Sequence, residues 1–294
     1  MKFAERMKLL APSATFAVNT KALELKAKGV QVISLAVGEP DAPTPAHICE
    51  AAKKAIDENF SKYTPVNGIM DFRKAVCGYF KRQYGVDSKP ENVIITTGGK
   101  QSLANTLMAL LDDGDEVLLP TPYWTSYPDL IRLAGGKPVL VKADSSRAFH
   151  IDVSDLEKAA TPKTKLIILN TPSNPTGAVY TQDEVDALVG WCIEHDIFVL
   201  ADEIYDQLTF DAAPASAAKW WAAHPDKVAV LNGLSKAFAM TGWRVGYIAA
   251  PRELLAPMFK IHQYTMLCAS IQGQIAADRA LGRAFETGFE DVRM

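Results

Sequence analysis

Lys236 has the surroundings of a reactive amine. It follows the apolar run VAVLNG and lies in the small, mostly apolar segment NGLSKA. Burial in such a segment lowers the pKa of a lysine ammonium and frees the amine to act as a nucleophile. Arg244, eight residues further on, is a permanent cation suited to a two-point contact with phosphate. A single lysine is usually a solvated charge, so this interpretation depends on the other residues described below.

Asp202 ends the apolar run IFVLAD, and Tyr205 follows three residues later in the segment ADEIY. A carboxylate at the end of a buried strand is costly to desolvate unless a cation or a hydrogen-bond donor faces it. The motif alone leaves two roles open, a structural ion pair or helix cap and a ligand-binding acid. In either case the phenol of Tyr205 lies close to the acid.

The segment TTGGKQ, which contains Gly99 and Lys100, joins a predicted strand to a predicted helix. Such a junction exposes backbone N–H groups at the positive end of a helix and therefore suits a phosphate. The segment matches neither G-x-G-x-x-G nor G-x-x-x-x-G-K-[ST], so the dinucleotide and P-loop interpretations lack their motifs. A simple turn is the alternative.

Trp124 and Asn174 also follow predicted strands, in the segments PTPYW and NTPSNPTG. An indole at such a place can stack on a flat ring, and an amide can donate to an oxyanion. Ordinary core packing is the alternative for Trp124. The Thr121-Pro122 and Asn174-Pro175 bonds are candidates for cis peptides, which occur mainly before proline.

Together these residues match the needs of pyridoxal 5'-phosphate (PLP). That cofactor requires a lysine for a Schiff base, an acid beside the pyridine nitrogen, an arginine and N–H groups for the phosphate, and a flat partner for the ring. All of these side chains occur in this sequence.

The elements that must position these residues alternate between apolar runs and amphipathic stretches. This alternation predicts an α/β architecture with helices on both faces of a sheet. Ligands bind such sheets at the carboxyl ends of the strands, where the segments above lie. The predicted strands are VIIT, EVLLP, KPVLVKA, KLIILN, IFVLAD, VAVLNG and VGYIAA.

Composition excludes several classes of protein. Among the 294 residues 48% are hydrophobic and 22% charged, as in globular proteins, and the net charge of -3 argues against nucleic acid as a partner. The apolar runs are much shorter than the ~20 residues that span a membrane. The four cysteines and five histidines lack metal-binding spacing, so we expect no metal site. Reduced cysteines and the absence of a signal-peptide core predict a cytoplasmic protein.

The motifs resemble those of the class I aminotransferases, PLP enzymes of the aspartate-aminotransferase fold, and closely resemble the bacterial aspartate and aspartate/prephenate branch. The resemblance implies a PLP fold type I large domain with a mixed, mostly parallel sheet, and a partial small domain. We expect residues 1–45 to form an N-terminal arm and part of the small domain, 46–280 the large PLP-binding domain, and 281–294 the start of the small domain. The shared motifs, in order, are SLAVGEPDAPTP, YTPVNG, TTGGKQ, PYWTSYP, TPSNPTGAVY, ADEIYDQL and SKAFAMTGWRVGY.

The resemblance also implies roles around the cofactor ring. Lys236 is expected to be the Schiff-base lysine and the proton shuttle. Asp202 is expected to pair with the pyridinium nitrogen. Tyr205 and Asn174 would bond the phenolic oxygen of the ring, and Trp124 would stack on the ring.

Further roles follow from the same resemblance. Gly99 and Lys100, through their backbone N–H groups, and Arg244 are expected to hold the phosphate. Gly38 would lie where the substrate carboxylate approaches; Trp124 and Asn174 are also expected to contact substrate. Tyr63 resembles a tyrosine that reaches the phosphate in the neighbouring subunit, which implies a homodimer.

The implied reaction is transamination between an amino acid, aspartate or glutamate, and a 2-oxo acid. Two alternatives remain at this point. One is a PLP-dependent C–S lyase on the same fold, and the other is a catalytically silent PLP-binding fragment.

Two features depart from the family pattern. Many relatives carry a hydroxyl residue three positions before the lysine, where this chain has Gly233, and a phosphate role for the neighbouring Ser235 stays open. Family members are also longer, so we expect most of the small domain to be missing, together with the arginine that grips the substrate carboxylate. The cations Arg279, Arg283 and Arg293 do not match that arginine. Side-chain preference is expected to depend on residues around Ser13 and Thr15 and on the missing parts.

Overall fold

The structure, a computed structural model, describes residues 2–12, 14–35, 37–210, 213–224 and 226–287. Its centre is a seven-stranded sheet with the order β1-β7-β6-β5-β4-β2-β3. The strands are β1 Val93–Thr96, β2 Glu116–Thr121, β3 Lys137–Lys142, β4 Thr164–Asn170, β5 Phe198–Asp202, β6 Val228–Gly233 and β7 Gly246–Ala249.

The sheet is mixed but mostly parallel, which confirms the predicted fold class. Strands β3, β2, β4, β5 and β6 are successive parallel neighbours. Strand β7 runs antiparallel to both β6 and β1. The carboxyl ends of β4, β5 and β6 therefore lie side by side along one edge of the sheet.

The described ranges contain ten α-helices in addition to this sheet. They are α1 Ala14–Ala27, α2 Ala46–Asp57, α3 Met70–Tyr84, α4 Gly99–Leu110, α5 Tyr127–Leu133, α6 Val153–Ala159, α7 Gln182–Glu194, α8 Leu234–Ala237, α9 Arg252–Thr265 and α10 Ile271–Thr287. Helix α7 begins with a reciprocal cap between Thr181 and Glu184, which satisfies N–H groups at the start of the helix.

Each strand contributes side chains to both faces of the sheet. In β4, Ile167 and Leu169 join one buried cluster, and Leu166 and Ile168 join a second. This alternation follows from the two-residue period of a strand, and the burial of both faces explains why the strands are continuous apolar runs. Helices α2, α3, α7 and α10 supply residues to the first cluster, and α4, α5 and α9 supply residues to the second.

The two ends of the described chain differ in their packing. The segment 28–45 after α1 forms no strand among its described residues, and Ile33 and Leu35 are 91% and 95% exposed. Helix α10 continues without a break past residue 280, and Leu281 and Ala284 are buried in the first cluster. The expected domain limits thus stay a prediction.

No helix within the described ranges is long and apolar enough to cross a bilayer.

Candidate active site

A cavity of ≈ 630 Å³ lies at the carboxyl ends of β4, β5 and β6. Its volume is within the range of small-molecule sites. Nine of the ten predicted site residues line it; Tyr63 is the exception. Those nine are Gly38, Gly99, Lys100, Trp124, Asn174, Asp202, Tyr205, Lys236 and Arg244.

Asp202 is the last residue of β5 and is 4% exposed. Its Oδ2 accepts a 2.7 Å hydrogen bond from the hydroxyl of Tyr127, and its Oδ1 accepts a 3.2 Å bond from the backbone N–H of Ile204. Burial raises the pKa of this carboxyl to about 6, although both bonds act to lower it. A cation placed against Asp202 from the cavity would therefore stabilise its charged form.

A chain of amides fixes the phenol of Tyr205. The side-chain amide of Asn174 donates to the Tyr205 hydroxyl at 3.2 Å. The backbone N–H of Asn174 in turn donates to Oδ1 of Asn170 at 2.8 Å, and the Asn170 amide donates to the carbonyl of Asp202 at 2.9 Å. The ends of β4 and β5 are thereby joined at the cavity wall.

Lys236 lies on α8, the short helix that begins directly after β6. Burial lowers the pKa of its ammonium; Glu39 opposes that change, and Arg244 adds to it. The Nζ atom donates to the carbonyl oxygen of Gly38 at 2.5 Å and lies 5.8 Å from the ring centre of Tyr205. The amine is thus held inside the cavity beside that phenol.

Backbone and guanidinium groups meet closely at the start of α4. Gly98 has φ of +79°, and a Cβ atom added there would lie 2.3 Å from Nη2 of Arg244. A Cβ on Gly246 would lie 2.6 Å from the backbone nitrogen of Gly99. Gly246 needs glycine because backbone atoms leave no room for a Cβ, and Gly98 needs it because of its backbone angles, φ +79° and ψ 162°. The arrangement combines a helix N-terminus with an arginine, which suits a phosphate dianion.

Lys100 and Trp124 also line the cavity. The Lys100 Nζ lies 4.8 Å from the centre of the Trp124 ring, a cation–π distance. The indole meets the Tyr127 ring edge-on, with centres 5.3 Å apart. Burial, and then the charge of Arg244, lowers the pKa of Lys100.

The remaining candidates are placed differently. Tyr63 is 85% exposed on the loop between α2 and α3. Thr15 lines the cavity, whereas Ser13 and Arg293 lie outside the described residues. Arg279 and Arg283 are on α10 and do not line the cavity.

The departure at residue 233 has a steric reason. A Cβ on Gly233 would lie 3.0 Å from Cα of Gly246, so a hydroxyl-bearing side chain needs backbone movement there. Ser235 does line the cavity.

Sequence reasoning missed Tyr127, the hydrogen-bond donor to Asp202. Its only signal was its place within PYWTSYP. It also missed one of three cis peptide bonds: Thr121-Pro122 and Asn174-Pro175 are cis as considered, and Thr171-Pro172 is cis as well. No group of three or more metal-binding side chains occurs in the described ranges.

These residues fit PLP. A buried acid, a desolvated amine, a flat indole and a helix N-terminus beside an arginine share a single cavity. Each is a group that this cofactor requires.

Comparisons with known proteins agree with this geometry. The family model for aminotransferase class I and II matches residues 30–290. The chain is 42% identical over 266 residues to an aspartate aminotransferase of Bacillus subtilis, covering 90% of this chain and 68% of that protein. It is 41% identical to an aspartate/prephenate aminotransferase of Thermus thermophilus, covering 95% and 71%.

A solved structure of aspartate aminotransferase from Thermus thermophilus with maleate superposes with a TM-score of 0.94 at 40% identity, covering 100% of this chain and 76% of that one. The family match and this superposition both include the sheet, most of its helices and most of the residues that line the cavity. The chain therefore belongs to the aminotransferase class I and II family, and it is a PLP-dependent enzyme that transfers amino groups between amino acids and 2-oxo acids.

Proposed function

We propose that this enzyme transaminates a short acidic amino acid, aspartate or glutamate, against a 2-oxo acid. The observation that carries the acidic preference is the ammonium of Lys100, which lines the cavity above Trp124. If Arg244 and the start of α4 hold the phosphate, Lys100 Nζ is left to pair with a substrate carboxylate. The names of the relatives, and the dicarboxylate maleate in the Thermus thermophilus structure, point to the same substrate class.

Lys236 performs the proton transfer in this proposal. PLP, when bound, supplies an electron sink that makes the Cα–H bond of an attached amino acid acidic. The Nζ of Lys236 would hold the cofactor covalently, and the same amine, when it is not bonded to the cofactor, would accept and return the proton of the substrate Cα. Its lowered pKa supports this role because a neutral amine is the form that accepts a proton.

Four residues would orient the cofactor. Asp202 would pair with the pyridine nitrogen, and its negative charge would keep that nitrogen protonated. Tyr205 and Asn174, already bonded to each other, would hold the ring hydroxyl oxygen. Trp124 would stack on the ring.

Gly99 and Lys100 would donate backbone N–H groups to the phosphate, and Arg244 would add a charge-assisted contact. Gly38 lies beside Lys236 and marks the approach of the substrate carboxylate.

We further propose a homodimer in which Tyr63 enters the cavity of the partner subunit. The exposure of Tyr63 and the contacts of its loop support this role. Gln272 and Gln274 of α10 donate to Phe60 and Thr64 of that loop, which ties the loop to α10. Two further exposed side chains precede α10 in the sequence, Tyr264 near the end of α9 and Met266 just after it. Light scattering during size exclusion tests this; a fully active monomer would contradict it.

Domain limits and location belong to the same proposal. Residues 46–280 form the PLP-binding domain, since all cavity-lining residues except Thr15, Leu35 and Gly38 fall within it. The location in the proposal is the cytoplasm, which is supported by the four free cysteines, as is usual for cytoplasmic proteins.

The test is a spectral titration with PLP, followed by aspartate, glutamate and a neutral amino acid. We expect a visible band from the lysine-bound cofactor that aspartate or glutamate bleaches with release of the matching 2-oxo acid. Lys236→Ala should lose the band and nearly all turnover, whereas Lys142→Ala, an exposed lysine on β3, should retain both. A band that no amino acid bleaches would contradict the activity, and release of pyruvate and ammonia from a thioether amino acid would indicate lyase chemistry instead.

A further inference from the structure

Asp206 is a buried carboxylate outside the cavity that gathers three hydrogen-bond donors. It is 2% exposed, and its Oδ2 accepts from the hydroxyls of Tyr79 and Tyr84 and from the amide of Asn232. The Tyr84 and Asn232 bonds are 2.6 and 2.9 Å long. The Gln207 amide donates to the Tyr79 hydroxyl at 2.6 Å. Such a set is costly to break because every member is desolvated.

This cluster lies where the pairing of β5 and β6 ends. The last paired residues are Asp202 and Leu231, followed by a 3.0 Å bond from the Glu203 N–H to the Leu231 carbonyl. Beyond this pair, one segment continues from Asp202 to Tyr205 and the other continues from Leu231 to Lys236. Asp202 is thus the last residue of the ladder, and Tyr205 and Lys236 lie past its end.

The Asn232–Asp206 hydrogen bond joins the segments that follow β5 and Leu231, beyond the last paired residues of the two strands. Asn232 is the residue after Leu231, and its Oδ1 accepts from the Gly233 N–H at 2.6 Å, which fixes the orientation of its amide. Asp206 is the residue after Tyr205. The bond therefore connects the residue after Tyr205 with a residue four positions before Lys236.

Helix α3 supplies a fixed support for this connection. Tyr79 and Tyr84 are 2% and 8% exposed, and both contact the fully buried ring of Phe80 with centres 6.2 and 5.7 Å apart. Two donors from one packed helix thus hold the same carboxylate oxygen that Asn232 contacts.

We propose that Asp206 is a positioning residue for transamination, which sets the separation between Asp202 and Tyr205 on one side and Lys236 on the other. It touches neither cofactor nor substrate and acts through Asn232 and the turn after β5. The inference rests on the proposed function, since it assigns those three residues to the reaction. Misplacement of reacting groups by about 1 Å lowers rates by up to ~10²-fold.

Asp206→Asn tests the proposal, with Glu116→Gln as its control. Glu116 is also a buried carboxylate, 6% exposed, and accepts from Thr161 and Lys137, but it begins β2 at the opposite end of the sheet. We expect Asp206→Asn to lower kcat by roughly 10- to 10²-fold with KM near the wild-type value and an altered visible band of the bound cofactor. Glu116→Gln should lose stability without changing kcat or the band.

A second pair of variants keeps the proposal testable if Asp206→Asn does not fold. Tyr84→Phe removes one donor to Asp206, whereas Tyr247→Phe removes a buried hydroxyl on β7 that makes no described bond to Asp206. We expect a fall in kcat only for Tyr84→Phe. Wild-type kcat and band in folded Asp206→Asn, or equal kcat for both tyrosine variants, would overturn the positioning role. Failure of the proposed function is distinct, because then wild-type protein itself shows no turnover.

Discussion

The hydroxyl of Tyr127 donates to Oδ2 of Asp202 at 2.7 Å, across 75 residues of sequence. Tyr127 is 2% exposed at the start of α5, and Asp202 ends β5, so the bond joins a helix to the centre of the sheet. The bond lowers the pKa of a carboxyl that burial has raised to about 6. Tyr127 therefore favours the charged form of Asp202, the form that holds a protonated ring nitrogen in the proposed mechanism.

Tyr127→Phe should weaken PLP binding and slow the half-reaction. Loss of a hydrogen bond to a charged group costs roughly 1.5–3 kcal/mol, which corresponds to about 10- to 100-fold in affinity. The pKa of Asp202 should also rise, so the loss should be greatest in mildly acidic buffer. Spectral titration with PLP across pH measures both effects. Tyr180→Phe is the control, because the Tyr180 hydroxyl accepts from the Ile151 N–H instead; equal affinities for both variants would contradict the prediction.

Asp202→Asn should stabilise the protein in the absence of PLP. The folded protein holds the Asp202 proton more tightly than the unfolded chain does, because the pKa is about 6 rather than 3.8. Its stability therefore falls as pH rises from about 4 to 6, by roughly 3 kcal/mol for this group. The asparagine variant lacks this loss, so its free energy of unfolding should exceed that of wild type increasingly over that range and then level off above pH 7.

Urea unfolding at several pH values measures this difference. Asp57→Asn, at an exposed position that ends α2, should follow wild type throughout. A constant difference between Asp202→Asn and wild type from pH 4 to pH 7 would show that Asp202 does not titrate as described. In the same samples the variant should bind PLP poorly, since the neutral amide cannot pair with a protonated ring nitrogen.

Much of the fold could be predicted because both faces of the sheet are buried. IFVLAD consists of consecutive apolar residues up to its last one, and that polar residue, Asp202, lies at the ligand-binding edge. Lys236, Asp202 and Asn174 were recognisable for that reason. Their order along the chain matched a known family, which assigned roles that the residue types alone left open.

Contacts between distant segments could not be predicted in the same way. The bond of Tyr127 to Asp202 and the three donors on Asp206 depend on which helix packs against which strand end. No local pattern encodes that choice. The steric reason for Gly233 likewise appears only once Gly246 of the neighbouring strand is placed against it.

Gly98→Ala should weaken PLP binding through Arg244. Gly98 and Gly29 both have positive φ, +79° and +81°, but Gly98 also has ψ of 162°, a backbone region that essentially only glycine adopts, so alanine there costs on the order of 1–3 kcal/mol of strain. At Gly98 the new Cβ also lies 2.3 Å from Nη2 of Arg244, whereas at Gly29 no atom lies within 4 Å. Only Gly98→Ala should displace the guanidinium and reduce PLP affinity, by roughly 10-fold or more. Equal PLP affinity in both variants, measured by titration, would show that Arg244 does not hold the phosphate.

Lys100→Met should change which amino acids are used. The substitution keeps an unbranched side chain over Trp124 but removes the charge, while the backbone N–H of residue 100 remains for the phosphate. We expect kcat/KM for aspartate to fall roughly 10- to 100-fold, because one charge-assisted hydrogen bond is lost. The kcat/KM for a neutral amino acid such as alanine should stay near the wild-type value. Lys142→Met serves as the control, since Lys142 is exposed on β3 away from the cavity. Equal losses for aspartate and alanine would place Lys100 in cofactor binding, and no loss for either would leave the acidic preference to other residues.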